Sequence, residues 1–254
     1  METDLKRFFV ELSYLGTHYH GWQRQPNKIS IQETVENAFS TVLRCQIIIF
    51  GCGRTDTGVH ASQYFFHFDF DKDLPPHFLS TINRMIPGDI AIKQIFQQED
   101  TSRHARFDAC IRTYEYQITF QKNPFLLLNT WKYNYAVNPN FQLMEKAARL
   151  IANYTEFTPF CKTGHSAKSM VCHISESVWI FNPEKEIAIY KISANRFLRG
   201  MVRLIVGAQI QIGIQKMSLE ELEYALENQS YLRQSLSIPA EGLTLTAVRY
   251  PWDF

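Results

Sequence analysis

Two alternating runs, FFVELSY (8–14) and QYFFHFDF (63–70), flank one helix-spaced segment, and this pattern narrows the possible folds more than any other feature of the chain. Phe8, Val10 and Leu12 share one face of the first run, as side chains do at the period of a half-buried strand. Between the runs, Ser30 opens SIQE with Glu33 three residues on, the form of a capping box. Ile31, Val35, Ala38, Phe39 and Val42 follow at helical spacing, so a helix is expected over 31–44. CQIIIF (45–50) is β-branched and reads as a short strand. FLSTINRMI (78–86) reads as a helix ended by Pro87 and Gly88, and AIKQIFQ (91–97) as a further strand. An N-terminal subdomain over 1–107 therefore has the order β-α-β-loop-β-α-β.

The second half, 108–254, repeats the mixture. RTYEYQITF (112–120) places Tyr114, Tyr116, Ile118 and Phe120 on one strand face. FQLMEKAARLIAN (141–153) has helical spacing. SVWIF (177–181) and IAIYKIS (187–193) form a hairpin pattern around Asn182-Pro183. RFLRGMVRLIVGAQI (196–210) reads as a long helix, Ser218 with Glu221 caps another, and LTLTAVRY (243–250) closes as a strand. Two similar-sized halves of this kind favour an α+β fold of two subdomains, whose sheets could join, over a doubly wound parallel sheet. A chain of 254 residues has ample material for such a core.

Several function classes are disfavoured. The five cysteines are odd in number and lack a CxxC pair, so neither a disulfide framework nor a zinc site is indicated. The eight histidines show no metal-ligand spacing, and no metal is expected. METDLKRFF carries acids and no long apolar region, and no run reaches the ~18 apolar residues of a membrane helix. A cytoplasmic protein without membrane partners is expected. The net charge of +1 is neutral ground for nucleic acid, because a local basic stripe decides binding.

Three constellations carry chemistry. GCGRTDTGVHAS (51–62) sets Arg54 and Asp56 two apart between strand patterns. Read blandly, it is a glycine-rich turn in which Asp56 bonds nearby N–H groups. The loop is longer than a hairpin needs, however, and its opposite charges favour an ionised carboxylate, as nucleophilic or base chemistry requires. It lacks the Lys-Ser or Lys-Thr ending of a phosphate-binding loop. Arg196, Arg199 and Arg203, spaced three and four apart, would line one helix face, and Ile192 to Lys216 holds four basic residues and no acid. RHARF (103–107), with Arg112 and Tyr114, interleaves cations and aromatics, which suits phosphates and unpaired bases. The bland readings are a solvated helix face and a core strand tyrosine.

Taken together, these segments resemble the tRNA pseudouridine synthase A (TruA) family. GCGRTDTGVHA is similar to its signature GxGRTDxGVHA. YLGTHYHGWQRQP, HARF with RTYEY, NRFLRGMVRLIVG and PAEGLTLTAVRYP follow in the family's order. The resemblance implies isomerisation of uridine to pseudouridine at positions 38 to 40 of the tRNA anticodon arm, by a homodimer without metal or cofactor. It implies two RRM- or ferredoxin-like α+β subdomains with largely antiparallel sheets flanking a central active-site cleft. By matched position, Asp56 is similar to the catalytic aspartate, Tyr114 to the tyrosine that stacks on the target base and Arg203 to the arginine that pairs with the aspartate. Arg54 matches an arginine that helps flip the nucleotide. Arg103, His104, Ala105, Arg106 and Phe107 match an RNA-contacting segment, and Arg199 and Lys168 are further candidate contacts. Cys52 and Thr57 depart from the signature tolerably. Where the family often carries an arginine after Lys168, this chain has Val171 and Cys172.

The implied reaction suits the residues. It breaks the C1′–N1 bond, turns the uracil and rejoins it through C5, which needs no redox step or group donor. A carboxylate near C1′ could attack the sugar or remove the C2′ proton; both routes stay open. Two other readings compete: a non-catalytic tRNA-binding or folding module on the same scaffold, and an N-glycoside hydrolase that releases free base.

Overall fold

The structure is a computed structural model and describes residues 5–134, 136–162, 169–184, 186–232 and 236–252. It divides into two compact units, Met1–Cys110 with Leu245–Phe254, and Ile111–Thr244. The first change of unit thus falls at 110/111 rather than 107/108, and the C-terminal residues return to the first unit instead of completing the second.

The first unit contains β1 (Lys6–Tyr14), α1 (Ile31–Leu43), β2 (Phe50–Gly51), β3 (His60–Phe70), α2 (Phe78–Met85) and β4 (Ile90–Gln98). Within it β1 lies between β4 and β3, antiparallel to both, and the two-residue β2 pairs antiparallel with β3. The expected alternation is present, yet both faces of the sheet are covered. Phe8, Val10 and Leu12 are buried, and so is Phe9 on the opposite face. On one side Phe39 of α1 meets Phe66, Phe68 and Phe78 edge-on at 5.2–5.6 Å. On the other, Tyr250 meets Phe9 and Phe65 edge-on at 5.8 and 5.5 Å. The Ser30 hydroxyl accepts from the Glu33 N–H at 3.3 Å, so α1 starts where the sequence signals it.

CQIIIF is corrected by the structure: only Phe50 of that run belongs to a strand. Side chains of α1 take the backbone groups a ladder would use. The Ile47 N–H donates to Ser40 Oγ at 2.9 Å, the Ile49 N–H to Glu36 Oε1 at 3.2 Å, and Gln32 Nε2 donates to the Ile49 carbonyl at 3.3 Å. Ile47 and Ile49 still bury their side chains, so burial is kept and strand geometry is not.

The second unit contains β5 (Ile111–Thr119), β6 (Trp131–Lys132), α3 (Phe141–Ala152), β7 (Ile174–Asn182), β8 (Ile187–Ala194), α4 (Met201–Gly213) and α5 (Leu219–Glu227). Its sheet runs β5-β8-β7 with antiparallel pairs, and β6 adds one short parallel pair to β5. The expected largely antiparallel α+β architecture is therefore present. β9 (Leu243–Arg249) follows, and beyond Leu245 it lies beside β3 in the first unit. Both capping-box bonds of α5 form, between Ser218 and Glu221, at 3.1 and 2.8 Å.

A second correction concerns the arginine helix. α4 begins at Met201, not near 196, because Gly200 sits at φ 71 in the left-handed region and ends any helical path through it. Arg196 and Arg199 lie in the connection before the helix, both exposed, and only Arg203 is helical. The three do not form one helix face. Among the described residues no helix is long and apolar enough to cross a membrane.

Candidate active site

The loop after β2 is held by its backbone to segments distant in sequence. The Cys52 N–H donates to the Phe65 carbonyl at 2.7 Å, and the Tyr64 hydroxyl donates to the Gly53 carbonyl at 2.6 Å. Thr55 is buried, its hydroxyl 2.9 Å from that of Tyr14, and its carbonyl accepts from the Trp22 N–H at 3.2 Å. The Val59 N–H closes a turn on the Asp56 carbonyl at 3.1 Å, and Gly58, at φ 78, donates to the Tyr19 carbonyl at 3.3 Å. Tyr19 is itself tied to Asp89 by a 2.7 Å hydrogen bond. Burial first, and then that bond, raises its pKa. Below the loop, Trp22 and Tyr64 stack at 4.0 Å with Tyr14 beside them.

These contacts give the glycines a purpose other than mobility. A Cβ at Gly51 would run into the Tyr64 hydroxyl and come within 2.6 Å of the Trp22 ring. Gly21 sits at φ 85, and a Cβ there would collide with the Thr55 carbonyl oxygen. Gly53, by contrast, has nothing within 4 Å of such a position. Gly21→Ala is accordingly expected to lower the unfolding free energy by about 1–3 kcal/mol, from left-handed strain and the clash. Gly53→Ala should stay within about 0.5 kcal/mol of the parent. Urea denaturation followed by circular dichroism checks the pair, and equal effects would contradict this account of the loop.

On this support Asp56 is half-buried, flanked by exposed Arg54 and Thr57. Arg54 Nε donates to Gln23 Oε1 at 3.1 Å, and Gln23 is held by Gln32 of α1 at 2.8 Å. Segment 14–23 was legible as a motif, but its role as the floor of the loop was not. Gln23, Tyr14 and Tyr19 carried no chemical signal, since each acts through a partner more than 25 residues away or through packing.

The RHARF segment lies against the opposite face of β3. Arg103 places its guanidinium 4.6 Å over the Trp252 ring and donates to Gln98 Oε1 at 2.6 Å, while its carbonyl accepts from Arg7 at 2.7 Å. Ala105 is buried; its N–H donates to His67 Nδ1 at 3.1 Å and its carbonyl accepts from the Tyr250 hydroxyl at 2.7 Å. Arg103 and Ala105 therefore hold the segment in place, and Arg106 and Phe107 are the residues it exposes. His104 is half-buried between them.

In the second unit Tyr114 pairs opposite Ile192 on β5. Tyr116 and Ile118 further along the same face are fully buried, but Tyr114 is half-exposed, its ring meeting Phe197 edge-on at 5.2 Å. That contact brings it beside the connection carrying Arg196 and Arg199. Arg112 braces the same connection by donating to the Asn195 carbonyl at 2.8 Å. Arg203 stands in the first turn of α4, and its Nε donates to the Ile238 carbonyl at 2.6 Å. Lys168 lies outside the described residues. Among the described residues no three His, Cys, Asp or Glu side chains converge as a metal-binding group.

Comparison with known proteins places the chain among relatives over nearly its whole length. A family model described as tRNA pseudouridine synthase matches residues 154–251. The tRNA pseudouridine synthase A of Azobacteroides pseudotrichonymphae genomovar. CFP2 is 40% identical over 252 residues, covering 98% of this chain and 99% of that protein. That of Bacteroides thetaiotaomicron is 39% identical over 251 residues, covering 98% and 92%. That of Acetivibrio thermocellus is 35% identical over 240 residues, covering 94% and 97%. Similarity of this extent spans the Asp56 loop, the Tyr114 strand and the Arg203 helix alike, and the chain belongs to the tRNA pseudouridine synthase A family.

Proposed function

We propose that this protein isomerises uridine to pseudouridine at positions 38 to 40 in the anticodon stem-loop of tRNA, as a cytoplasmic homodimer that uses no cofactor. The observation that carries the proposal is the Asp56 loop: a carboxylate beside an exposed arginine, on a backbone fixed by Thr55, Gly53 and Val59. In this reading Asp56 initiates cleavage of the C1′–N1 bond, by attack at C1′ or by removal of the C2′ proton. The uracil turns and C5 bonds to C1′. The C5 proton is lost and N1 gains one, so composition is unchanged.

Such chemistry needs the target base out of the stack, which costs a few kcal/mol. Arg54, exposed at the loop surface, fills the vacated space. Tyr114 receives the base by stacking, its half-exposed ring braced edge-on by Phe197. Arg203 holds the Asp56 carboxylate, a role that suits a planar fork better than an ammonium. Arg199, Lys168 and the Arg103 to Phe107 segment contribute RNA contacts.

tRNA labelled with tritium at uridine C5 tests the reaction. Each turnover releases one tritium to water and leaves the nucleoside carbon-linked. Release of free uracil would instead indicate a hydrolase, and tight binding without tritium release a binding module. Tyr114 is tested in single turnover. Tyr114→Phe keeps the π face and should bind tRNA within about threefold of the parent, yet slow tritium release if the hydroxyl helps remove the C5 proton. Tyr114→Ala should cost about 1–3 kcal/mol of stacking. An alanine variant as fast as the parent would leave Tyr114 a strand residue only.

A further inference from the structure

The two faces of β3 serve different ends. Gly51 of β2 and Phe66 of β3 pair on the side of the Trp22 and Tyr64 stack, whereas Phe50 pairs with His67 on the other side. There four rings form one continuous set. Phe50 stacks on His67 at 5.1 Å and lies 6.0 Å from His104. His67 meets His104 edge-on at 4.6 Å, and His104 lies 4.3 Å from Phe107. The inner ring, His67, is 1% exposed, but Phe50 is 47% and Phe107 74% exposed. The Arg106 guanidinium sits 5.8 Å over the Phe107 ring.

An exposed phenylalanine is common at a loose loop tip, and this segment is not one. Its backbone is pinned by His67, Tyr250 and Arg7, and the His104 N–H donates to Asp108 Oδ2 at 2.7 Å. Both imidazoles serve as acceptors: His67 Nδ1 from Ala105, and His104 Nδ1 from the Arg106 N–H at 3.0 Å. A neutral ring with its proton on Nε2 satisfies each bond. Burial lowers the His67 pKa to about 3, and burial with the nearby Arg7 charge lowers that of His104. The set is thus uncharged aromatic surface, held rigid before any ligand arrives, with a cation at its rim. Rigid rings lose little entropy on binding. A π face beside a guanidinium suits an unpaired base and its phosphate, because every base can stack and the charge meets the backbone.

We infer that Phe50, His104 and Phe107 form a second stacking platform, which takes an unpaired nucleobase of the bound RNA other than the uridine assigned to Tyr114, with Arg106 meeting the adjoining phosphate. The inference rests on RNA being the substrate. It is tested by tRNA titrations at several salt concentrations. Phe107→Ala and Phe107→Leu should each weaken binding about fivefold or more with an unchanged salt slope, Phe50→Ala should weaken it likewise, and Phe107→Trp should restore it. Arg106→Gln should reduce the salt slope by about one phosphate contact. Thermal melting confirms that each variant is folded. A Phe107→Leu protein that binds as tightly as the parent overturns the platform, because apolar bulk without a π face would then suffice. If the parent releases tritium from labelled tRNA at the same time, the platform alone has failed. A parent without tRNA affinity overturns the RNA reading and the platform together.

Discussion

Asp56→Asn should reduce pseudouridine formation by at least about 10³-fold, the scale seen when a reacting group is removed, while tRNA affinity stays within a few-fold of the parent. The substitution keeps the shape of the side chain and removes its charge. An amide neither attacks a sugar carbon nor takes a proton from one at useful rates. The loop itself should survive. Its turn is closed by the Asp56 backbone carbonyl on the Val59 N–H at 3.1 Å, and its anchors are Gly53, Thr55 and Gly58. Loss of activity with unchanged melting and retained binding would therefore report chemistry rather than folding. Tritium release above about one per cent of the parent rate would remove Asp56 from the mechanism.

Arg203→Met should lower the single-turnover rate by about 10²-fold or more and shift tRNA affinity by no more than about threefold. A carboxylate covered by RNA loses water, which disfavours its charged form, and a fixed guanidinium offsets that loss. Arg203 is positioned for a fixed role. Its Nε donates to the Ile238 carbonyl at 2.6 Å, which uses one of five donors and orients the planar head. Methionine removes that bond too, so a stability loss of about 1 kcal/mol should accompany the kinetic effect. Arg203→Lys separates the two contributions. It keeps the charge without the fork, and should recover part of the rate if charge matters and little if bidentate geometry does. A methionine variant that is less stable but as fast as the parent would confine Arg203 to bracing Ile238.

Much of this was legible in the sequence because it depends on neighbours along the chain. Helix α1 begins at Ser30 because the hydroxyl reaches an N–H three residues on, a contact the sequence specifies without any tertiary information. β1, β3 and β5 alternate because side chains on a strand point to opposite faces. Asp56 and Arg54 stood out because charge on a glycine-rich loop between strands has few structural uses. Tyr114 was on the correct face, but its partial exposure at the end of a buried row was not readable from that row.

What local reading missed has a common cause. CQIIIF has strand propensity, yet Ser40, Glu36 and Gln32 of α1 take its backbone hydrogen bonds. Gly200 looked like an interior helix residue between two arginines, but its left-handed conformation stops the helix and places Lys162 against it. The glycines near Asp56 read as those of a turn; Gly51 and Gly21 also admit Trp22, Tyr64 and Thr55 at close range, which residue type alone does not show. RHARF read as five equivalent candidates, and only contacts with His67, Trp252 and Tyr250 separate the two residues that hold the segment from those that face solvent. By itself, then, the sequence marked most of the helices and strands and singled out the side chains proposed to carry chemistry, since both readings follow from residue type and short-range spacing. Only the tertiary structure decided which backbone groups find partners, which glycines are required and which charges are left exposed, because those partners lie tens of residues away and are brought close only when the sheet forms.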